Sequence, residues 1–70
     1  MSDVVLTEVA DGVATITLNR PEARNALSRE VLRTLPRAVA DADADPEVAA
    51  VVLTGADPVF CAGLDLREVA

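Results

Sequence analysis

The stretch Val4-Val5-Leu6-Thr7-Glu8-Val9-Ala10-Asp11-Gly12-Val13-Ala14-Thr15-Ile16-Thr17-Leu18 decides how this chain begins to fold. Two runs rich in β-branched residues, 4–10 and 13–18, flank Asp11-Gly12. Asp-Gly is a strong hairpin signal, because a type I′ turn needs positive φ at both central positions. A two-residue turn also fixes register. It sets Val9 opposite Ala14, Thr7 opposite Ile16 and Val5 opposite Leu18, which makes one face mostly apolar. Glu8 opposite Thr15 and Leu6 opposite Thr17 make the other face more polar. Turn chemistry and alternation agree, and that agreement specifies the hairpin.

Outward from the hairpin, residues 19–27 hold a proline, two arginines and two asparagines and read as a loop. Ser28 is a good N-cap for the helix that follows. Val31, Leu32, Leu35, Ala38, Val39 and Ala42 fall on one side of that helix, and Arg29, Arg33 and Arg37 on the other. Pro36 predicts a kink or break, because it removes the bond to the Leu32 carbonyl and costs about 3 kcal/mol in a helix interior. The segment 41–46, Asp-Ala-Asp-Ala-Asp-Pro, ends the helix. Residues 48–54 form a continuous apolar run, typical of a strand covered on both faces. Strand, helix, strand gives a right-handed crossover between parallel strands. A second helix is expected from about Leu64. One full helix and the first turns of another are too little to cover both faces of such a sheet. The fold class is α/β, and residues 1–70 are expected to be an incomplete domain.

Composition narrows the function. Hydrophobic residues make up 51% of 70, but they are chiefly 13 Ala and 11 Val, which fill little core volume. Chains this small bury a low fraction of their surface, so independent stability is expected to be marginal. The formal charge is −6, with six arginines and no lysine. An acidic chain is poorly suited to nucleic acid or an anionic membrane, although single arginines can hold phosphate. One cysteine excludes an internal disulfide, and without histidine there is no Ser-His-Asp arrangement and no ordinary zinc site. No basic leader and no membrane-length apolar run is seen, so a cytoplasmic setting is expected.

Two segments carry candidate chemistry. Phe60-Cys61-Ala62-Gly63-Leu64-Asp65-Leu66 follows the apolar strand. Taken alone it is a strand-to-helix turn, with Gly63 for a tight backbone and Asp65 as N-cap. Such a turn also exposes backbone N–H groups that can hold developing negative charge. Asn19-Arg20-Pro21-Glu22-Ala23-Arg24-Asn25-Ala26-Leu27-Ser28 precedes it. Taken alone it is a polar loop ending in a cap.

Together, at this spacing, the two segments resemble the enoyl-CoA hydratase/isomerase (crotonase) family, and the hairpin, helix and buried strand match the order of that family's N-terminal part. The resemblance implies the opening of a ββα spiral. It implies fatty-acid metabolism and an acyl-CoA thioester substrate, with coenzyme A as part of the substrate and no covalently bound cofactor. It also implies a homo-oligomeric parent, a trimer or dimer of trimers. It places the Ala62 backbone N–H as one of two donors to the thioester oxygen. Ala23, Arg24 and Ala26 match the CoA-binding loop, with Arg24 on phosphate. By the same resemblance Gly63 relieves crowding beside the pantetheine arm, Leu64 and Leu66 line its tunnel or the core, and Asp65 counts among the CoA-binding residues.

The family's two glutamates and second oxyanion donor have no counterpart here. Glu8, Glu22, Glu30, Glu47 and Glu68 match neither glutamate motif, so the chain is expected to be inactive alone. Rival readings are a different acyl-CoA reaction on the same scaffold, a non-catalytic module that binds acyl-CoA or a crotonase subunit, and a degenerate product. The arginine stripe reads as a solvated surface. Asp41, Asp43 and Asp45 open like a calcium loop, but Pro46 and Val52 stand where glycine and glutamate are needed. Cys61, with no histidine partner, reads as a small, partly buried residue.

Overall fold

Asp11 and Gly12 close the predicted turn, with φ of +52° and +79°. The strands they join, β1 (Val5–Ala10) and β2 (Val13–Leu18), pair antiparallel in the predicted register, Val9 with Ala14, Thr7 with Ile16 and Val5 with Leu18. This computed structural model describes residues 3–65. A third strand, β3 (Ala50–Gly55), lies parallel to β2, from Val13 beside Ala50 to Leu18 beside Gly55. The sheet order is β1-β2-β3, so β2 is central.

The helix α1 (Arg29–Ala44) connects β2 to β3. Ser28 caps it as expected: its hydroxyl accepts from the Val31 N–H at 3.2 Å. Val31 packs with Val4 and Leu18, while Ala42 packs with Ala14 and Ile16. Alternation along β2 therefore sends Ala14, Ile16 and Leu18 into the core, as the hairpin register requires.

Three expectations change. The break at Pro36 is absent, and one helix spans both sides of it. Leu35 and Ala38 pack on the sheet on either side of the proline, so burial holds both halves in one helix. The apolar stripe is also narrower than the sequence suggests. Leu32 and Val39 are exposed, because the sheet beneath touches only the row through Val31, Leu35, Ala38 and Ala42. Finally, β3 is an edge strand. Among the described residues α1 covers β1 and β2, and Val51, Val52 and Leu53 remain about half exposed on both faces.

The second helix does not begin at Leu64. That residue forms a parallel bridge with Leu27. The rest of that expectation, with Leu66, lies outside the described residues.

Candidate functional site

Residues 19–27 are a loop fastened at both ends. A short 3-10 turn, Pro21–Ala23, leads into Arg24 and Asn25, each with φ of +56°. Asparagine tolerates this left-handed conformation better than most residues. Asn25 is also fully used: its Oδ1 accepts from the Arg20 N–H at 2.7 Å, and its Nδ2 donates to the carbonyls of Ala56 and Val59 at 2.7 and 2.6 Å. The loop is thereby tied to the turn after β3. That turn can approach only because residue 55 is glycine, since a Cβ there would fall on the Phe60 carbonyl.

The second segment runs alongside the first. The Ala62 N–H donates to the Arg24 carbonyl at 3.0 Å, Leu27 N–H to the Gly63 carbonyl at 2.7 Å, and Asp65 N–H to the Leu27 carbonyl at 3.1 Å. Arg20 adds two side-chain bonds, from Nη1 to the Ala26 carbonyl at 2.7 Å and from Nη2 to Asp65 Oδ2 at 3.1 Å. Between the segments opens a cleft of about 350 Å³, lined by Glu22, Ala23, Arg24 and Ala26 on one side and Ala62, Leu64 and Asp65 on the other. The predicted residues Ala23, Arg24, Ala26, Ala62, Leu64 and Asp65 are thus brought together.

Their roles shift in three ways. The Ala62 N–H is already committed to Arg24 and is not available to a ligand in this arrangement. The Gly63 N–H lies 3.4 Å from Cys61 Sγ. The Leu64 N–H has no hydrogen-bond partner among the described residues. A trans peptide fixes its direction: the Gly63 carbonyl points to Leu27, so the N–H in the same plane points away from Leu27. Next, Gly63 is glycine for its φ of +94°, and a Cβ there would meet no protein atom within 4 Å. Lastly, the Asp65 carboxylate accepts from Arg20, and the helix it was expected to cap lies outside the described residues.

Arg24 is exposed, and its guanidinium has no partner among the described residues. The sequence singled out Arg24 and passed over Arg20 and Asn25, which hold the cleft together. Glu22, set aside earlier, stands on its rim. Cys61 is partly buried against the Val4, Leu18 and Val31 cluster, as expected. Among the described residues no group of acidic, cysteine or histidine side chains could hold a metal ion, and no helix is long and apolar enough to cross a membrane.

A profile of the enoyl-CoA hydratase/isomerase family matches residues 8–70. A probable enoyl-CoA hydratase of Mycobacterium leprae is 41% identical over 68 residues, covering 97% of this chain and 26% of the relative. Another, from Mycobacterium tuberculosis, is 50% identical over 67 residues, 96% of this chain and 26% of the relative. The crystal structure of an enoyl-CoA hydratase from Mycobacterium smegmatis matches with a TM-score of 0.93 and 56% identity, over 99% of this chain and 32% of that one. A carnitinyl-CoA dehydratase from Mycobacterium avium matches at 0.88 and 49%, over 94% and 26%. The chain spans about a quarter of the length of the relatives it matches in sequence.

Proposed function

The chain belongs to the enoyl-CoA hydratase/isomerase family, and from that premise we propose that its cleft takes an acyl-CoA thioester and holds the thioester oxygen on the N–H of Leu64. The carrying observation is the peptide plane between Gly63 and Leu64. Its carbonyl is held by Leu27, and its N–H has no partner among the described residues, beside a cleft built from both motif segments. A fixed N–H acts most where charge develops, and an enolate-like transition state places that charge on the thioester oxygen. Loss of one such donor typically costs about 10²–10³ in rate.

Other residues follow from that placement. Arg24, exposed on the rim, offers paired donors to a CoA phosphate. Ala23 and Ala26 are small and let the nucleotide approach the backbone. Leu64 and Phe60, each about half exposed, give apolar surface for the acyl and pantetheine chains. Coenzyme A enters as part of the substrate. With this reading go the cytoplasmic setting and the homo-oligomer that the resemblance implies.

The chain supplies one donor and part of the CoA site. Of the carboxylates on the cleft, Asp65 is tied to Arg20, and Glu22 matches neither family glutamate. No described group is placed to move the proton that hydration requires. A second reading keeps the same binding with another acyl-CoA reaction, and the likeness to a carnitinyl-CoA dehydratase favours it over a module without catalytic kin.

The test is a titration of the ¹⁵N-labelled chain with crotonyl-CoA and with CoA. Both should move Arg24, and only crotonyl-CoA should move the Leu64 amide proton downfield. Equal movement of Leu64 with both ligands would remove the donor role.

A further inference from the structure

The use of Arg20 goes beyond tying two loops together. Its Nη1 donates to the carbonyl of Ala26 at 2.7 Å. That carbonyl shares a peptide plane with the Leu27 N–H, which donates to the Gly63 carbonyl at 2.7 Å. The Gly63 carbonyl in turn shares a plane with the Leu64 N–H. A charged group therefore stands at the head of a line of hydrogen bonds: Arg20 guanidinium, peptide 26–27, peptide 63–64. The line ends on the N–H read above as the oxyanion donor.

Each peptide in such a line is polarised by the one before it. A cation on the first carbonyl makes the Leu27 N–H a stronger donor. A stronger bond to the Gly63 carbonyl makes the Leu64 N–H a stronger donor in turn. Chains of this kind gain about 10–30% in strength per bond. Planarity makes the same line a positioning device, because neither carbonyl can turn without turning the N–H behind it. The second guanidinium nitrogen, Nη2, binds Asp65 Oδ2, one residue beyond the donor, and keeps the guanidinium from swinging away.

We propose that Arg20 is a positioning residue, which orients and polarises the Leu64 N–H through two successive peptide groups without touching the substrate. The proposal rests on the reading of Leu64 as the donor to the thioester oxygen. Lysine would not replace it, because one ammonium lacks the rigid fork that reaches Ala26 and Asp65 together.

The experiment uses ¹⁵N spectra of the full 70-residue chain, first without ligand. In Arg20→Gln the amide resonances of Leu27 and Leu64 should both move upfield, more at Leu27 than at Leu64, while Thr15 and Ile16 in β2 stay in place. Asp65→Asn keeps the Arg20–Ala26 bond, so it should leave Leu27 and Leu64 nearly where they are. If Arg20→Gln leaves both amides unmoved while β2 is intact, the relay does not exist. If Arg20→Gln fails to fold, Asp65→Asn decides: large upfield movement at both amides would show that the ion pair sets them, not the bond to Ala26. Crotonyl-CoA is then added. In the wild type it should move Leu64 downfield, and in a folded Arg20 variant by less than half as much. A wild-type Leu64 that ignores crotonyl-CoA overturns the donor reading and leaves the relay with no catalytic meaning. A variant Leu64 that responds fully overturns the relay and leaves the donor reading standing.

Discussion

Arg20 and Asp65, 45 positions apart, meet as an ion pair at 3.1 Å with only 13% and 5% of their side chains exposed. Burial makes this pair unlike a surface salt bridge. Each charge has lost most of its water, and each depends on the other to offset that loss.

Removing one partner should therefore be severe. Asp65→Ala leaves the Arg20 guanidinium sunk without its counter-charge, a change that typically costs about 3–5 kcal/mol. A domain this small has little stability to lose. Urea unfolding followed by circular dichroism should show Asp65→Ala with a much lower midpoint than wild type, and the double variant Arg20→Met/Asp65→Leu less affected. Equal midpoints for wild type and Asp65→Ala would mean the pair contributes nothing.

The glycines at 55 and 63 should fail in different ways. At Gly55 an added Cβ would meet the Phe60 backbone and Asn25 Nδ2, groups that cannot step aside. Gly55→Ala should destabilise by about 1–3 kcal/mol, as overpacking does. It should also free the Asn25 side-chain amide protons for solvent exchange. At Gly63 the space is open and the strain lies in φ. Gly63→Ala should cost about 1 kcal/mol and leave Asn25 protected. Exchange rates of the Asn25 Nδ2 protons distinguish the two.

Arg24→Ala should weaken CoA and crotonyl-CoA alike, about tenfold, since it removes a phosphate contact common to both. The loss should shrink as salt is raised, because the Arg24 side chain is exposed and its field is screened. Isothermal titration at low and high salt reads this. A loss confined to crotonyl-CoA would place Arg24 at the acyl end of the cleft.

Crotonyl-CoA hydration by the pure chain should not exceed the uncatalysed rate. The motive is that, of the carboxylates on the cleft, Asp65 is tied to Arg20 and Glu22 matches neither family glutamate. Reproducible turnover would mean that Glu22 or a residue beyond the described range does that work.

Self-association should centre on β3. Val51, Val52 and Leu53 form an apolar edge with no further strand beside it among the described residues, and such edges template pairing with another chain. Sedimentation should show concentration-dependent growth, which Val52→Lys reduces. A monodisperse wild type with a cooperative melt would contradict this and favour a self-sufficient module.

The hairpin was fully legible because its information is local. Asp11-Gly12 fixes the turn, and alternation over six residues on each side fixes the register. The helix start was legible for the same reason, in Ser28. Leu32 and Val39 were misplaced because a helical stripe shows which side is apolar, not how wide the sheet beneath it is. The two motif segments announced a cleft, but not which N–H beside it is left without a partner among the described residues. That depends on which peptides Arg24, Leu27 and Cys61 engage, 2 to 38 residues away in sequence. Arg24 was singled out over Arg20 because it matches the CoA-binding loop of the family, a match that says nothing about which arginine is paired. The partner that silences Arg20 lies at the far end of the chain.

The bonds that join the two sides of the cleft are long-range ones: Asn25 to Ala56 and Val59, Arg24 to Ala62, Leu27 to Gly63, Arg20 to Asp65. The hairpin closes on its own turn in microseconds, whereas these contacts must first close loops of 31 to 45 residues. During synthesis the first two strands can pair while the rest is still unmade. The cleft cannot exist until Asp65 has left the ribosome. The same order runs backward in local opening. The loop 19–27 can lift from the turn after β3 and from the segment that carries Leu64, while β1 and β2 stay paired. Loss of the site is therefore a smaller event than loss of the fold, and in a population of otherwise native chains some will hold an intact sheet and no cleft.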